Sequence, residues 1–355
     1  MTGLERLDRA VRFQPTDRVP VAPLLGAHAV ALAGITYEAA SADPTAQAHA
    51  LLRAVERYRP DAIFTLMDLS AEPEALGAAV TASATSSRIV TRHLAPEALL
   101  ADDLESVILT ARVPAFVDTV HRLRAALCDT VMVGALISGP LTAAANAVGI
   151  ETIARMLRRQ RETLADMLER LTKACMAVAS AHLEAGAHGV MLLEPCATSG
   201  ILGPDDLSSL LLARLQALAE HIRDRHGIGL LHICGDCRAS LPALAESRFD
   251  VLSLDAPVDL PQAREVIARS AALMGNLDVR QLLPRGEPES VCDAAAALVA
   301  DLGRAGGFIL SGGCELPADA PTCNVLRMVE ASALSSPRVY SADTHRQART
   351  TSCTG

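Results

Sequence analysis

The sequence predicts an α/β chain folded as a (β/α)8 barrel, with additional helices at the N-terminus and between strands 2 and 3. Three observations lead there. Eight short, mostly aliphatic runs are spread along the 355 residues, each bounded by turn formers, and unbroken apolar runs of this kind suit strands buried on both faces of a parallel sheet. Helical patterns or long connections separate successive runs. Finally, there is neither a G-x-G-x-x-G turn after the first run nor a P-loop, so the main competitor, a doubly wound nucleotide-binding sheet, lacks its usual signature.

The elements follow in order. A charged amphipathic N-terminus, MTGLERLDRAVRFQPTDRVP, leads into the first run, RVPVAPLL (18–25). The second is DAIFTLMD (61–68), followed by a long segment, 81–129, that carries the extra helices and loops. Then come TVMVGALI (130–137), a helix over 151–185, HGVMLLEP (188–195), a helix over 205–225 opened by PDDL, and IGLLHICG (228–235). FDVLSLD (249–255), a helix over 260–270 opened by DLPQ, AALMGNLD (271–278), a helix over 288–304 opened by PESV, and GGFILSGG (306–313) complete the set. The openings place Pro or an acid in the first helical turn, where unpaired backbone donors favour negative charge. Residues 1–335 read as one domain, and 336–355, polar and aperiodic, as a flexible tail.

Composition narrows the function. The net charge of −9, without any basic run, opposes a nucleic-acid partner or an acidic membrane surface, since phosphate contacts need a surplus of Lys and Arg. No stretch of about 18 apolar residues offers a span, and the N-terminus lacks the apolar core of a secretory signal. Nine cysteines, an odd number, suit a reducing compartment better than a disulfide framework, which places the chain in the cytoplasm.

In such a barrel the loops after the strands form the open face, so chemistry gathers at strand C-termini. Those ends carry Asp68, Glu194, His232 with Cys234, Asp255, Asn276 with Asp278, and Cys314. His232 and Cys234 are two apart and project to one side of an extended strand. With Cys314 from the last run they make a borderline-soft set suited to zinc, and three protein ligands leave a fourth position for water or substrate. Asp255, Asn276 and Asp278 are candidate substrate-binding groups, while Asp68 and Glu194 read either as catalytic carboxylates or as caps of the following helices. Cys234 and Cys237 would also serve a redox pair, but Asp236 between them opposes thiolate formation. Cys128, Cys175, Cys292 and Cys323 sit in helical patterns as small core hydrophobes, and Cys196 reads as packing.

The ordered set DRVPV (17–21), MDLSAEPEALGA (67–78), SGPLTAAA (138–145), EAGAHGVMLLEP (184–195), LLHICGD (230–236), LSLDAPVDL (252–260), LMGNLD (273–278) and FILSGGCELPADAPTCNVLRMVEA (308–331) resembles the uroporphyrinogen decarboxylase superfamily. Within it, the chain is most similar to the corrinoid-dependent methyltransferases of the methylcobamide:coenzyme M and chloromethane type. The resemblance covers roughly residues 4–333. It implies the same barrel, a His-x-Cys zinc pair at His232 and Cys234, and a third zinc ligand at Cys314. It further implies a site acid at Glu194, where Asp is the usual form, and places the decarboxylases' central aspartate at Asp68. Cys237 stands where the family has no ligand, leaving open whether it or Glu194 joins the metal.

Charge separates the branches. Uroporphyrinogen carries eight carboxylates, which the decarboxylases hold with an arginine-bearing loop after the first strand, yet this chain has no Lys or Arg from Val19 to Leu52. The octa-anion would be left largely unpaired. The resemblance therefore implies a zinc-dependent methyltransferase that works with methylcobalamin or another corrinoid and a small methyl donor or acceptor such as a thiol, in either direction. The tail motif DTHRQA (343–348) is only superficially like an Asp-x-His-x-x-Gly cobalt-ligand motif, so the corrinoid is expected on a separate partner protein. An oligomer is compatible with the sequence. Two other readings stand beside this one: a decarboxylase of a smaller substrate, and a non-catalytic metal-binding barrel.

Overall fold

The computed structural model describes residues 1–82 and 89–334. The expected tail at 336–355 and its DTHRQA motif lie outside the described residues. Seven parallel strands form one curled sheet in sequential order: β1 Ala62–Phe64, β2 Met132–Ser138, β3 Gly189–Leu193, β4 Ile228–Ile233, β5 Val251–Leu254, β6 Ala272–Leu277 and β7 Phe308–Gly312. Seven of the eight aliphatic runs thus form strands.

The first run does not. From 18 to 25 the chain contributes a single bridge, Val21 beside Leu310, and a helix begins at Gly26. Pro20 and Pro23 have no N–H to give a ladder. The Val21 N–H, which could have joined one, is instead taken by the Asp61 carboxylate at 2.7 Å. The stretch still lies between the sheet's two edges. Leu310 N–H donates to Pro20 O and Ala22 N–H to Leu310 O, both at 2.9 Å, while Asp61 N–H donates to Val21 O at 2.8 Å.

Side-chain alternation along the strands divides the apolar residues into two layers. Ala62, Phe64, Met132, Leu136, Met191, Leu193, Leu230, Val251, Ala272, Met274 and Ile309 form an inner cluster. Their neighbours in phase with Ile63, Val133, Val190, Leu231, Leu252 and Leu273 pack outward beneath the helices. The Phe64 ring occupies the place a β-carbon would take on Gly134, which allows an aromatic ring inside so narrow a space. Helix α1 (Gly3–Val11) opens with a capping box in which Thr2 and Glu5 satisfy each other's backbone donors. Its Leu7 joins the inner cluster and closes the sheet's N-terminal end.

The outer helices include α2 Pro44–Tyr58, α3 Val113–Leu127, α4 Pro140–Val148, α5 Arg161–Glu184, α6 Leu212–Asp224, α7 Leu260–Ile267, α8 Pro288–Leu302 and α9 Thr322–Ala331. The extra helices between the expected second and third strands fall between β1 and β2, beside a small antiparallel hairpin of Ala79–Thr81 with Ile89–Arg92. The helix expected over 151–185 is broken at Gln160 into Ile150–Arg159 and α5. The break lets the first piece pack on α4 while α5 runs along β2. No helix among the described residues is long and apolar enough to cross a membrane.

Candidate metal centre

Strand phase positions the first two candidate ligands. Leu230 points into the inner cluster, so His232 and Cys234, at even spacing from it, face the same interior above the apolar layer. Gly235 has φ +71, a left-handed conformation that glycine adopts without strain and that turns the chain directly after Cys234. The third candidate, Cys314, comes from the turn after β7. A β-carbon on Gly313 would stand 2.6 Å from Ala256 N and 2.8 Å from Asp255 Oδ1, so only glycine lets the Cys314 turn approach the end of β5.

These three residues meet. His232 Nε2 is 3.0 Å from Cys234 Sγ, and the Cys234 and Cys314 sulfurs are 3.3 Å apart. All three donor atoms lie within 4.8 Å of one another, the one such His/Cys/acid trio among the described residues. Ligands held by one zinc ion at about 2.0–2.3 Å in tetrahedral geometry stand about 3.5–3.8 Å apart. The two pairs at 3.0 and 3.3 Å need to open by only about half an ångström to fit around such an ion, and an imidazole with two thiolates is the donor chemistry it takes. The two sulfurs share one proton across this contact, so ionisation of one thiol is favoured and that of the other opposed.

A second layer orients the ligands. His232, fully buried, has its other ring nitrogen 3.0 Å from Ser253 Oγ, across the register pairing of β4 with β5. The buried Asp255 carboxylate accepts Gly235 N–H at 2.8 Å and Ala256 N–H at 2.7 Å, tying the Cys234 turn to the end of β5. The Arg280 guanidinium stands 4.0 Å from the same carboxylate.

The remaining sequence candidates stand outside the trio, and the polar ones among them hold turns and helix ends. Fully buried Glu194 accepts Leu141 N–H and Thr142 N–H, each at 3.0 Å, and the Thr142 hydroxyl at 2.7 Å. It therefore sits on the N-terminal end of α4, and burial pushes its carboxyl up to about 7 against those bonds. Asp68 accepts from Ser70 N–H and Oγ at 3.0 and 2.6 Å and pairs with Arg112. Asn276 donates to Asp255 O and Val258 O at 3.1 and 2.6 Å. Asp278 accepts Arg280 N–H and Gln281 N–H at 2.7 and 3.0 Å. Cys237 is fully buried, and that burial raises its thiol to about 12.

Besides Ser253, sequence reasoning missed three groups. Arg112, from the inserted segment, also pairs with Glu74. Buried Glu72 accepts Ser138 N–H and Oγ at 2.9 Å. Glu315, next to Cys314, accepts Ala27 N–H at 3.0 Å, and its enclosure pushes the carboxyl up to about 8. Only Glu315 had a signal in the sequence, its adjacency to a ligand.

Residues 2–333 match the uroporphyrinogen decarboxylase (URO-D) family. A methylcobamide:CoM methyltransferase MtaA of Methanosarcina barkeri is 25% identical over 92% of this chain and 96% of its own. A uroporphyrinogen decarboxylase of Coxiella burnetii is 26% identical over 92% and 94%. Among solved structures, a methyltransferase from Methanosarcina mazei superposes with a TM-score of 0.85 at 24% identity, covering 94% of this chain and 98% of that one.

Proposed function

The chain belongs to the uroporphyrinogen decarboxylase family, and from that premise we propose that it is a zinc-dependent methyltransferase. It would move a methyl group between a separate corrinoid carrier protein and a small molecule such as a thiol. Overall identity does not choose between the branches, since the methyltransferase and decarboxylase relatives are equally distant. The observation that carries the reading is the convergence of His232, Cys234 and Cys314. A decarboxylase of this family has no use for such a set, and Asp68, the position its chemistry would need, is spent on Ser70 and Arg112. The mouth would be that of a (β/α)8 barrel in which Pro20–Ala22 stands in for the eighth strand.

Bound by the trio, zinc would supply a Lewis-acid charge that lowers a substrate thiol's pKa from about 8.5, so that a thiolate forms at neutral pH. His232, oriented by Ser253, offers a neutral imidazole lone pair, and Cys234 and Cys314 offer two thiolates. Glu194 and Asp68 hold the loops that frame the substrate, and Glu194, with its carboxyl near 7, can exchange a proton at working pH. In the thiol-methylating direction, the substrate sulfur gives its electron pair to the methyl carbon of the methylcorrinoid. The sulfur–carbon bond would form as the methyl–carrier bond broke, the carrier would keep the bonding pair, and the thiol proton would go to solvent. Run in reverse, the same residues would load a methyl group onto cobalt. The thiol ligands suit a reducing, cytoplasmic setting. Zinc-loaded protein mixed with free methylcobalamin and a panel of thiols should bleach the methylcobalamin spectrum. No change with any thiol, in protein that retains zinc, would favour a non-catalytic metal-binding barrel.

A further inference from the structure

The sequence offers Cys234 and Cys237 as a redox pair, but the structure gives Cys234 a different neighbour. Cys237 is fully buried and stands outside the group of donor atoms that lie within 4.8 Å of one another. Burial pushes its thiol up to about 12, which keeps it protonated and unreactive. The Cys314 sulfur, 80 residues along the chain, instead lies 3.3 Å from that of Cys234, the one hydrogen-bonded pair of sulfurs among the described residues. Both cysteines are free and partly exposed, so small solutes reach them. Each sits beside a glycine turn, Gly235 after one and Gly313 before the other.

We propose that Cys234 and Cys314 form an oxidative modification site: a small peroxide joins them as a disulfide, which expels the metal and switches the centre off until a dithiol reduces it. A disulfide has an S–S length of about 2.05 Å, so the sulfurs need to approach by little more than an ångström from 3.3 Å. Rotation about the two Cα–Cβ bonds supplies movement of that size. One sulfur attacks a peroxide oxygen, breaks the O–O bond and becomes a sulfenic acid. The second sulfur then displaces that oxygen as water and forms the S–S bond. Counted as two thiols, the pair loses two electrons and two protons, and one peroxide becomes two waters. A disulfide sulfur is not a thiolate donor, so the trio loses two ligands together, and one imidazole does not hold zinc. Metal and disulfide are therefore mutually exclusive states of one sulfur pair. The inference rests on the zinc reading of the trio and is independent of methyl transfer.

Full-length zinc-loaded protein would be treated with hydrogen peroxide while a chromogenic chelator reports released zinc, and the chain would then be mapped with trypsin without reduction. The expected product joins peptide 226–238 to peptide 305–327, with fragmentation placing the bond between Cys234 and Cys314. About one zinc should be freed per disulfide, and dithiothreitol should reverse both changes. Cys237→Ser should give the same bond and the same release. Cys314→Ser should lose the bond and gain oxygen on Cys234 instead. A bond between Cys234 and Cys237, oxygen adducts without any bond in wild type, or the expected bond formed with zinc retained would each overturn the assignment. The expected bond in a chain that takes up no zinc would keep the modification site and overturn the zinc reading instead.

Discussion

The Ser253 hydroxyl lies 3.0 Å from Nδ1 of His232, and the opposite ring nitrogen lies 3.0 Å from the Cys234 sulfur. With the proton on Nδ1 donated to serine, Nε2 keeps its lone pair for a metal. This is the outer-sphere contact that fixes a metal-binding imidazole's tautomer and orientation.

Ser253→Ala should fold normally and bind zinc about 10- to 100-fold more weakly. Competition with a chromogenic chelator measures this. An unchanged affinity would mean that packing alone sets the ring.

Asp255 joins the two cysteine turns, receiving Gly235 N–H on one side and abutting Gly313 on the other. Asp255→Ala should release the Cys234 turn, and Gly313→Ala should push the Cys314 turn outward through its contact with Ala256 N. Each should lower zinc occupancy after dialysis against a weak chelator, with Asp255→Asn retaining more than the alanine variant. Equal occupancy in all three would show that the turns hold themselves.

Buried Glu194 gives stability a pH dependence. Its carboxyl is near 7 in the fold and near 4.5 when unfolded, so the folded state binds the proton more tightly. The favourable contribution is fully present below about pH 4.5 and is lost as pH rises through 7. Urea denaturation at pH 5 and pH 7.5 should therefore show a smaller difference in Glu194→Gln than in wild type. A variant with the wild-type difference would place the titrating group elsewhere.

Arg112 pairs with the enclosed Asp68 carboxylate and also with the partly exposed Glu74. Arg112→Leu leaves the enclosed Asp68 carboxylate without its partner and should cost about 3–5 kcal/mol of unfolding free energy. The double variant Arg112→Leu/Asp68→Asn should recover much of that loss. A loss below about 1 kcal/mol in the single variant would show that water reaches the pair.

Much of this was legible in the sequence because parallel strands buried on both faces write themselves as aliphatic runs. The period of two along β4 then sets His232 and Cys234 on one side, and the glycine pair before Cys314 marks a close turn. The run at 18–25 misled because its aliphatic content looked like a strand while its two prolines and the distant Asp61 carboxylate took away the ladder. Ser253, Arg112 and Glu72 were hidden for a different reason. Each acts through a partner 21 to 66 residues away, and nothing in the local pattern of a serine in a strand, or of an arginine between two helices, names that partner.

One imidazole and two sulfurs would hold a zinc ion with a corner left for substrate. X-ray absorption at the zinc edge, on purified protein with and without 3-mercaptopropionate, tests it most directly. The expected result is about one zinc per chain with two sulfurs at about 2.3 Å and a nitrogen at about 2.0–2.1 Å, gaining a third sulfur when the thiol is added. A chain purified without zinc that cannot be loaded, or a first shell of nitrogen and oxygen alone, would contradict it.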